Sequence, residues 1–299
     1  MPLLPPAGQR HKIILRLGVC FVCVYLFACA FLYFRQAYLI FIPTTAIEST
    51  PEQYGCKFED VRIRGSNFTL AGWWLPAKDP LNSKLQGKWN LIYFHGNAAS
   101  IGANTEQICR FSKYGFNVLI VDYRGFGNSV EGPPTETKAY ADAEAAYQYL
   151  QTRPGVTPQN TVIYGHSLGG AIAIELATHH PDAARLIVES SFTSIVDEAG
   201  TEPQYRIFPL RLLVHEKFDS IHKLPLLKMP VFFIHGGADE IIPVEQGIDN
   251  FISANEPKSL LIIDGGKHVN CASMAPEKYR DAILLFILTG KSELVKIVF

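Results

Sequence analysis

A chain of 299 residues with 48% apolar and 18% charged residues can fill a large core, so its composition excludes a chain dominated by disorder. A formal net charge of −1 and the lack of any basic patch exclude a polyanionic partner such as nucleic acid. Six cysteines, three of them inside an apolar run, make neither a disulfide framework nor a zinc-ligand set, and no metal is expected.

The first element is an apolar run. Residues 17–34 read LGVCFVCVYLFACAFLYF, without a charge, between Arg16 and Arg35. As a helix this run is ~27 Å long, close to the thickness of a bilayer core. A transmembrane anchor is therefore predicted over 17–36, behind a short basic tail at 1–16 and ahead of a juxtamembrane linker at 37–57. Arg10, Lys12 and Arg16 precede the run, whereas Arg35 stands alone after it until Lys57. That bias puts the N-terminus in the cytoplasm and the rest of the chain outside it, in a periplasm or lumen. Two other readings stay open. Ala28-Cys29-Ala30 suits a cleaved signal peptide, and Leu26-Phe27-Ala28-Cys29 loosely resembles a lipoprotein box. Residues 38–43, apolar and aromatic with a proline stop, read as an interfacial stretch.

Beyond the anchor the pattern alternates. Residues 58–64 and 68–75 read as two antiparallel strands around a Gly65-Ser66-Asn67 turn. Short apolar runs at 90–94, 116–121, 161–164, 185–188, 231–235 and 259–263 suit strands buried on both faces of a parallel sheet. Helical patterns lie at 135–151, 168–179, 243–252 and 276–288, the last two opening on proline. Strand followed by helix, repeated, predicts an α/β fold with a doubly wound, mostly parallel sheet and helices on both faces, over 58–290. Ligands in such sheets bind at the carboxyl ends of the strands. Residues 201–224 break the alternation and read as a small cap over the site.

The chemistry concentrates in the turns after strands. TVIYGHSLGG at 161–170 places Ser167 between glycines two residues either side, after a strand and before a helix, as in a nucleophile elbow. The tight turn lifts the hydroxyl clear of the sheet. The amide of Leu168, at the head of the next helix, is then placed to bind a developing oxyanion. In this fold an acid and then a histidine follow the nucleophile. VFFIHGGAD ends on Asp239 and LLIIDGGKH on His268, each on the loop after a strand. His268 is the expected base, with Asp239 fixing its tautomer. FHGNA at 94–98 is the expected source of a second oxyanion donor, the amide of Asn97, or of Ala98 if the turn is shifted by one. His95 and His235 read as structural polar residues, and His166 as packing sideways from the elbow. Arg124, in DYRGFGNS at 122–129, is expected to pair with an acidic group of the protein.

Together FHGNA, DYRGFGNS, GHSLGG, ESSFTS at 189–194, HGGAD at 235–239 and GGKH at 265–268, in this order, resemble the membrane-anchored α/β-hydrolase-domain (ABHD) serine hydrolase family, including its bacterial relatives. The resemblance implies an eight-stranded α/β-hydrolase fold, a Ser167–Asp239–His268 triad and no cofactor. Members include lysophospholipases and protein depalmitoylases. The depalmitoylase branch carries a Cys-rich, lipidated N-terminus in place of a spanning helix, and the present chain departs from it there. The expected activity is cleavage of esters or thioesters through an acyl-enzyme, on lipid-type substrates met at a bilayer. The alternatives are a tethered hydrolase of small soluble esters or peptides, and a non-catalytic scaffold on the same fold.

Overall fold

The computed structural model describes residues 7–78, 85 and 88–291; of the basic tail expected at 1–16, residues 1–6 lie outside the described residues. Among the described residues eight strands form one sheet: β1 (Glu59–Arg64), β2 (Thr69–Leu75), β3 (Trp89–Phe94), β4 (Phe116–Val121), β5 (Thr161–His166), β6 (Arg185–Glu189), β7 (Val231–Gly236) and β8 (Lys258–Ile263). Their order is β1-β2-β4-β3-β5-β6-β7-β8. β2 runs antiparallel to both neighbours and every other pairing is parallel. The central strands are Val-, Ile- and Phe-rich because each faces a helix layer on both sides. In β7, Val231 and Phe233 join one core while Phe232 and Ile234 join the other.

Among the described residues ten α-helices accompany the sheet: α1 (Ala7–Ile40), α2 (Thr105–Tyr114), α3 (Glu136–Gln151), α4 (Leu168–His179), α5 (Ile195–Thr201), α6 (Leu210–Leu213), α7 (Ser220–Lys223), α8 (Val244–Ser253), α9 (Cys271–Met274) and α10 (Pro276–Thr289). α3 and α4 cover the face that holds Phe233, and α2 and α10 the face that holds Phe232. The sequence pattern predicts no element between 94 and 116, yet α2 lies there. Its sequence, TEQICRFSKY, buries Ile108, Cys109 and Phe111 on one side and spreads charged residues over the other, and Gly115, with φ of 103°, closes it. Only its narrow apolar stripe marks it, and that stripe is short enough to pass for a loop.

α1 extends past the apolar run at both ends, because nothing breaks the helix before Pro43 restrains the residue ahead of it. It is long and apolar enough to cross a membrane, and its most apolar window is unburied. Its C-terminal half docks on the segment holding α5, α6 and α7, which forms the cap. Gln36, 6% exposed, donates to the Leu213 carbonyl at 3.1 Å and accepts from the His215 and Glu216 amides at 2.8 and 2.9 Å. Tyr25 stacks on Phe208 with centroids 5.6 Å apart and donates to the Ile207 carbonyl at 2.9 Å. Phe41 is not interfacial: it is buried against Phe218, with centroids 5.8 Å apart. The segment after α1 is stitched to the loop after β3. Asn97 donates from Nδ2 to the Ile40 carbonyl and accepts the Ile42 amide at 2.9 Å, and Ser100 Oγ donates to the Ala46 carbonyl at 2.6 Å.

Candidate active site

β5 delivers Ser167 into the head of α4 at φ 55°, ψ −121°, a conformation costly for any residue with a Cβ. The glycines around it are steric necessities. A Cβ on Gly165 would collide with the Gly169 backbone, and one on Gly169 with the Phe94 carbonyl. The amide of Leu168 heads α4, where the first N–H groups have no partner within the helix. The loop after β3 comes up on the other side: a Cβ on Gly96 would lie 3.2 Å from Ser167 Cβ, and Ala98 is held at φ 56°.

His268 Nε2 lies 3.0 Å from Ser167 Oγ and His268 Nδ1 lies 2.9 Å from Asp239 Oδ2. With Nδ1–H directed at the carboxylate, Nε2 is the nitrogen left to accept the serine proton. Asp239 Oδ1 accepts the amides of Ile241 and Ile242 at 2.9 and 3.0 Å. Burial alone would raise the Asp239 pKa, but hydrogen bonds from His235 and His268 outweigh it and hold the carboxyl well below its usual range. The structure thus brings together Ser167, Asp239, His268 and Leu168, with the turn of Asn97 and Ala98 beside them. His235 contacts the acid: buried, its Nε2 lies 3.0 Å from the Ile242 carbonyl and 3.4 Å from Asp239 Oδ2. Its place four residues before Asp239 was the available signal. His166 packs sideways, with Nε2 2.9 Å from the His268 carbonyl oxygen, and burial lowers its pKa. His95 is buried, which lowers its pKa to about 4. Arg124 meets Asp142, Nε to Oδ1 at 2.6 Å. Among the described residues no group of three His, Cys, Asp or Glu is placed to hold a metal ion.

Two cavities flank Ser167. One, of about 300 Å³, is apolar and lies between α1 and the cap, walled by Leu32, Leu39 and Ile40 on one side and Leu210, Leu213 and Val214 on the other, with Phe192 and Leu168 deeper. The other, of about 440 Å³, is polar and contains His268, Glu106, Gln107, Arg110 and Glu189. Asn97 borders both. Of the charged residues of the polar cavity, Glu189 opens the ESSFTS segment, whereas Glu106 and Arg110 carry no motif in the sequence.

The family described as serine aminopeptidase, S33 matches residues 86–219. Protein bem46 of Schizosaccharomyces pombe is 33% identical over 247 residues, which cover 77% of this chain and 78% of bem46. The chain belongs to the α/β-hydrolase-domain family. Human α/β-hydrolase domain-containing protein 17B is 34% identical to this hydrolase-domain protein over 182 residues, 60% of either chain. Among solved structures, the Pyrococcus furiosus esterase Pf2001 superposes with a TM-score of 0.68 at 21% identity, covering 83% of this chain and 97% of that one, a likeness of fold. The Pyrococcus horikoshii acylaminoacyl peptidase superposes at a TM-score of 0.63 and 14% identity, covering 81% of this chain and 42% of the peptidase.

Proposed function

We propose that this α/β-hydrolase-domain protein is a membrane-anchored serine hydrolase that cleaves lipid-type carboxylic esters or thioesters through an acyl-enzyme. The observation that carries the reading is the 3.0 Å contact of Ser167 Oγ with His268 Nε2 at the mouth of an apolar cavity walled by α1. Ser167 attacks the carbonyl carbon and its proton passes to His268 Nε2. The amides of Leu168 and Asn97 receive the charge that develops on the carbonyl oxygen. His268 gives the proton to the departing group, then draws one from the water that releases the acid. Asp239 stabilises the imidazolium formed in each half.

The anchor supports a substrate met in the bilayer. Tyr25 is nine residues (34 − 25) inside the C-terminal end of the apolar run, so a cap docked on it reaches ~14 Å into the leaflet at helical rise. Ile207 and Leu212 of the cap are exposed at 68% and 81%, as a lipid-facing edge requires. Arg10, Lys12 and Arg16, ahead of the apolar run within α1, support a cytoplasmic N-terminus and an extracytoplasmic hydrolase domain.

Treating the full chain in detergent with a fluorophosphonate probe tests the nucleophile. Labelling of the wild type that disappears in Ser167→Ala is expected; an unlabelled wild type would instead favour a non-catalytic scaffold. The serine aminopeptidase match favours a second reading, hydrolysis of peptides or small soluble esters by a tethered domain. A series of esters of increasing acyl length separates the two, since only the lipid reading expects long chains to be preferred over acetyl.

A further inference from the structure

In acyl transfer the side of the serine that holds the histidine is the side of the leaving group. The C–O or C–S bond breaks as His268 Nε2–H hands its proton to the departing oxygen or sulfur, so that atom must lie against His268. His268 lines the polar cavity and does not line the apolar one. The acyl chain is thereby assigned to the pocket between α1 and the cap, and the alcohol or thiol to the polar cavity.

The polar cavity is built around one guanidinium. Glu189, at the end of β6 and 3% exposed, accepts from the hydroxyls of Tyr164 and Tyr279, both at 2.5 Å. Gln107 Nε2 donates to Tyr279 at 2.9 Å, and Gln107 Oε1 accepts from Arg110 Nη1. Arg110 Nη2 donates to Glu106 at 2.6 Å. A continuous chain of hydrogen bonds therefore runs from a buried carboxylate to Arg110 and holds the guanidinium in place before any ligand arrives. The Arg110 side chain is 19% exposed, while its partner Glu106 is 64% exposed, so water screens that ion pair and an incoming anion can replace it. Among the described residues lining this cavity Arg110 is the one Lys or Arg, and a guanidinium fork matches phosphate oxygens in pairs.

We propose that the polar cavity is a leaving-group site and that Arg110 reads a phosphate group on the alcohol released, as in an acyl glycerophosphate. The inference rests on the serine-hydrolase reading and sharpens it to substrates with an apolar acyl chain and an anionic polar head. The test uses the full chain in detergent with three esters of one acyl chain: acylglycerol, acyl glycerophosphate and acyl glycerophosphocholine. Wild type is expected to favour the glycerophosphate over the glycerol ester by at least ~10-fold in kcat/KM, the order of one charge-assisted hydrogen bond. Arg110→Ala should bring that ratio near one and Arg110→Lys should keep part of it. Glu106→Gln should raise the ratio above wild type, because it frees the guanidinium. A phosphodiester held as well as a monoester would show that the oxygen pair is read and the second negative charge is not.

Equal rates for the wild type on all three esters would overturn the proposal, and so would an Arg110→Ala loss of equal size on each, since that is the mark of a structural role. Failure of the underlying chemistry is distinguishable. It would show as no fluorophosphonate labelling and no hydrolysis of any of the three, whereas failure of the site alone leaves both intact without selectivity.

Discussion

Ser167 occupies a backbone region that costs ~1–3 kcal/mol for a residue bearing a Cβ, and the surrounding glycine contacts hold it there. Two substitutions separate chemistry from strain. Ser167→Gly should abolish labelling and also raise the unfolding free energy, read from denaturant titration, by ~1 kcal/mol, since glycine accepts this conformation. Ser167→Ala should abolish labelling without that gain. A destabilised glycine variant would show that the elbow carries no strain. The second residue-scale expectation concerns pH. A depressed pKa means that Asp239 stays ionised as pH falls through the usual carboxylate range and takes up a proton only well below it. Its contribution to stability is therefore complete above the unfolded carboxyl value and is lost progressively as pH falls from that value through the lower folded one. The acid limb of kcat/KM should accordingly fall with the slope of a single ionisation, that of the base. A pH–rate profile with a slope of two above pH ~4 would assign a second proton to the dyad.

At the scale of elements, the joint between α1 and the loop after β3 matters most. The Asn97 side chain holds the backbone on both sides of Phe41, accepting from Ile42 and donating to Ile40, while its own turn lies against Ser167. A displacement of α1 would drag the proposed oxyanion turn with it. Asn97→Ala removes both bonds and keeps the backbone amide. It is expected to lower kcat by ~10-fold on short and long esters alike, with KM nearly unchanged, the size of one or two lost hydrogen bonds. An unchanged kcat would show the clamp to be structural only. A KM effect confined to long esters would place its role in the acyl pocket instead.

At the scale of the molecule, the apolar cavity exists only because two remote parts of the chain meet. Gln36 and His215 are separated by 179 positions, and they fasten α1 to the cap on either side of the same space. Filling that space from either wall should have one result. Leu39→Trp from α1 and Leu213→Trp from the cap should each lower the ratio of long-chain to short-chain ester hydrolysis by ~10-fold or more, since each removes room for several methylene groups at ~0.8 kcal/mol apiece. An effect from the cap variant alone would mean that α1 tethers the domain without shaping its pocket. The same experiment in full-length protein at a vesicle surface shows whether the bilayer supplies the substrate.

The sequence by itself determined what local patterns encode. Six strands are legible as short apolar runs and two as a pair around the Gly65-Ser66-Asn67 turn, α1 as a long apolar run, α3, α4, α8 and α10 as helical patterns, and Ser167, Asp239, His268 and the 94–98 turn as residues of tight turns after strands. Each depends on a few neighbouring residues, so each leaves a trace in order and spacing. α2 escaped because its stripe is short and its exposed face polar. Tertiary structure alone decided which surfaces face the serine. The wall that α1 lends to the apolar pocket, the Asn97 clamp, and the path from Glu189 through Tyr279 and Gln107 to Arg110 join residues from different elements. Their side chains meet only after the sheet has brought the strand ends to one edge, and no spacing along the chain encodes such a meeting.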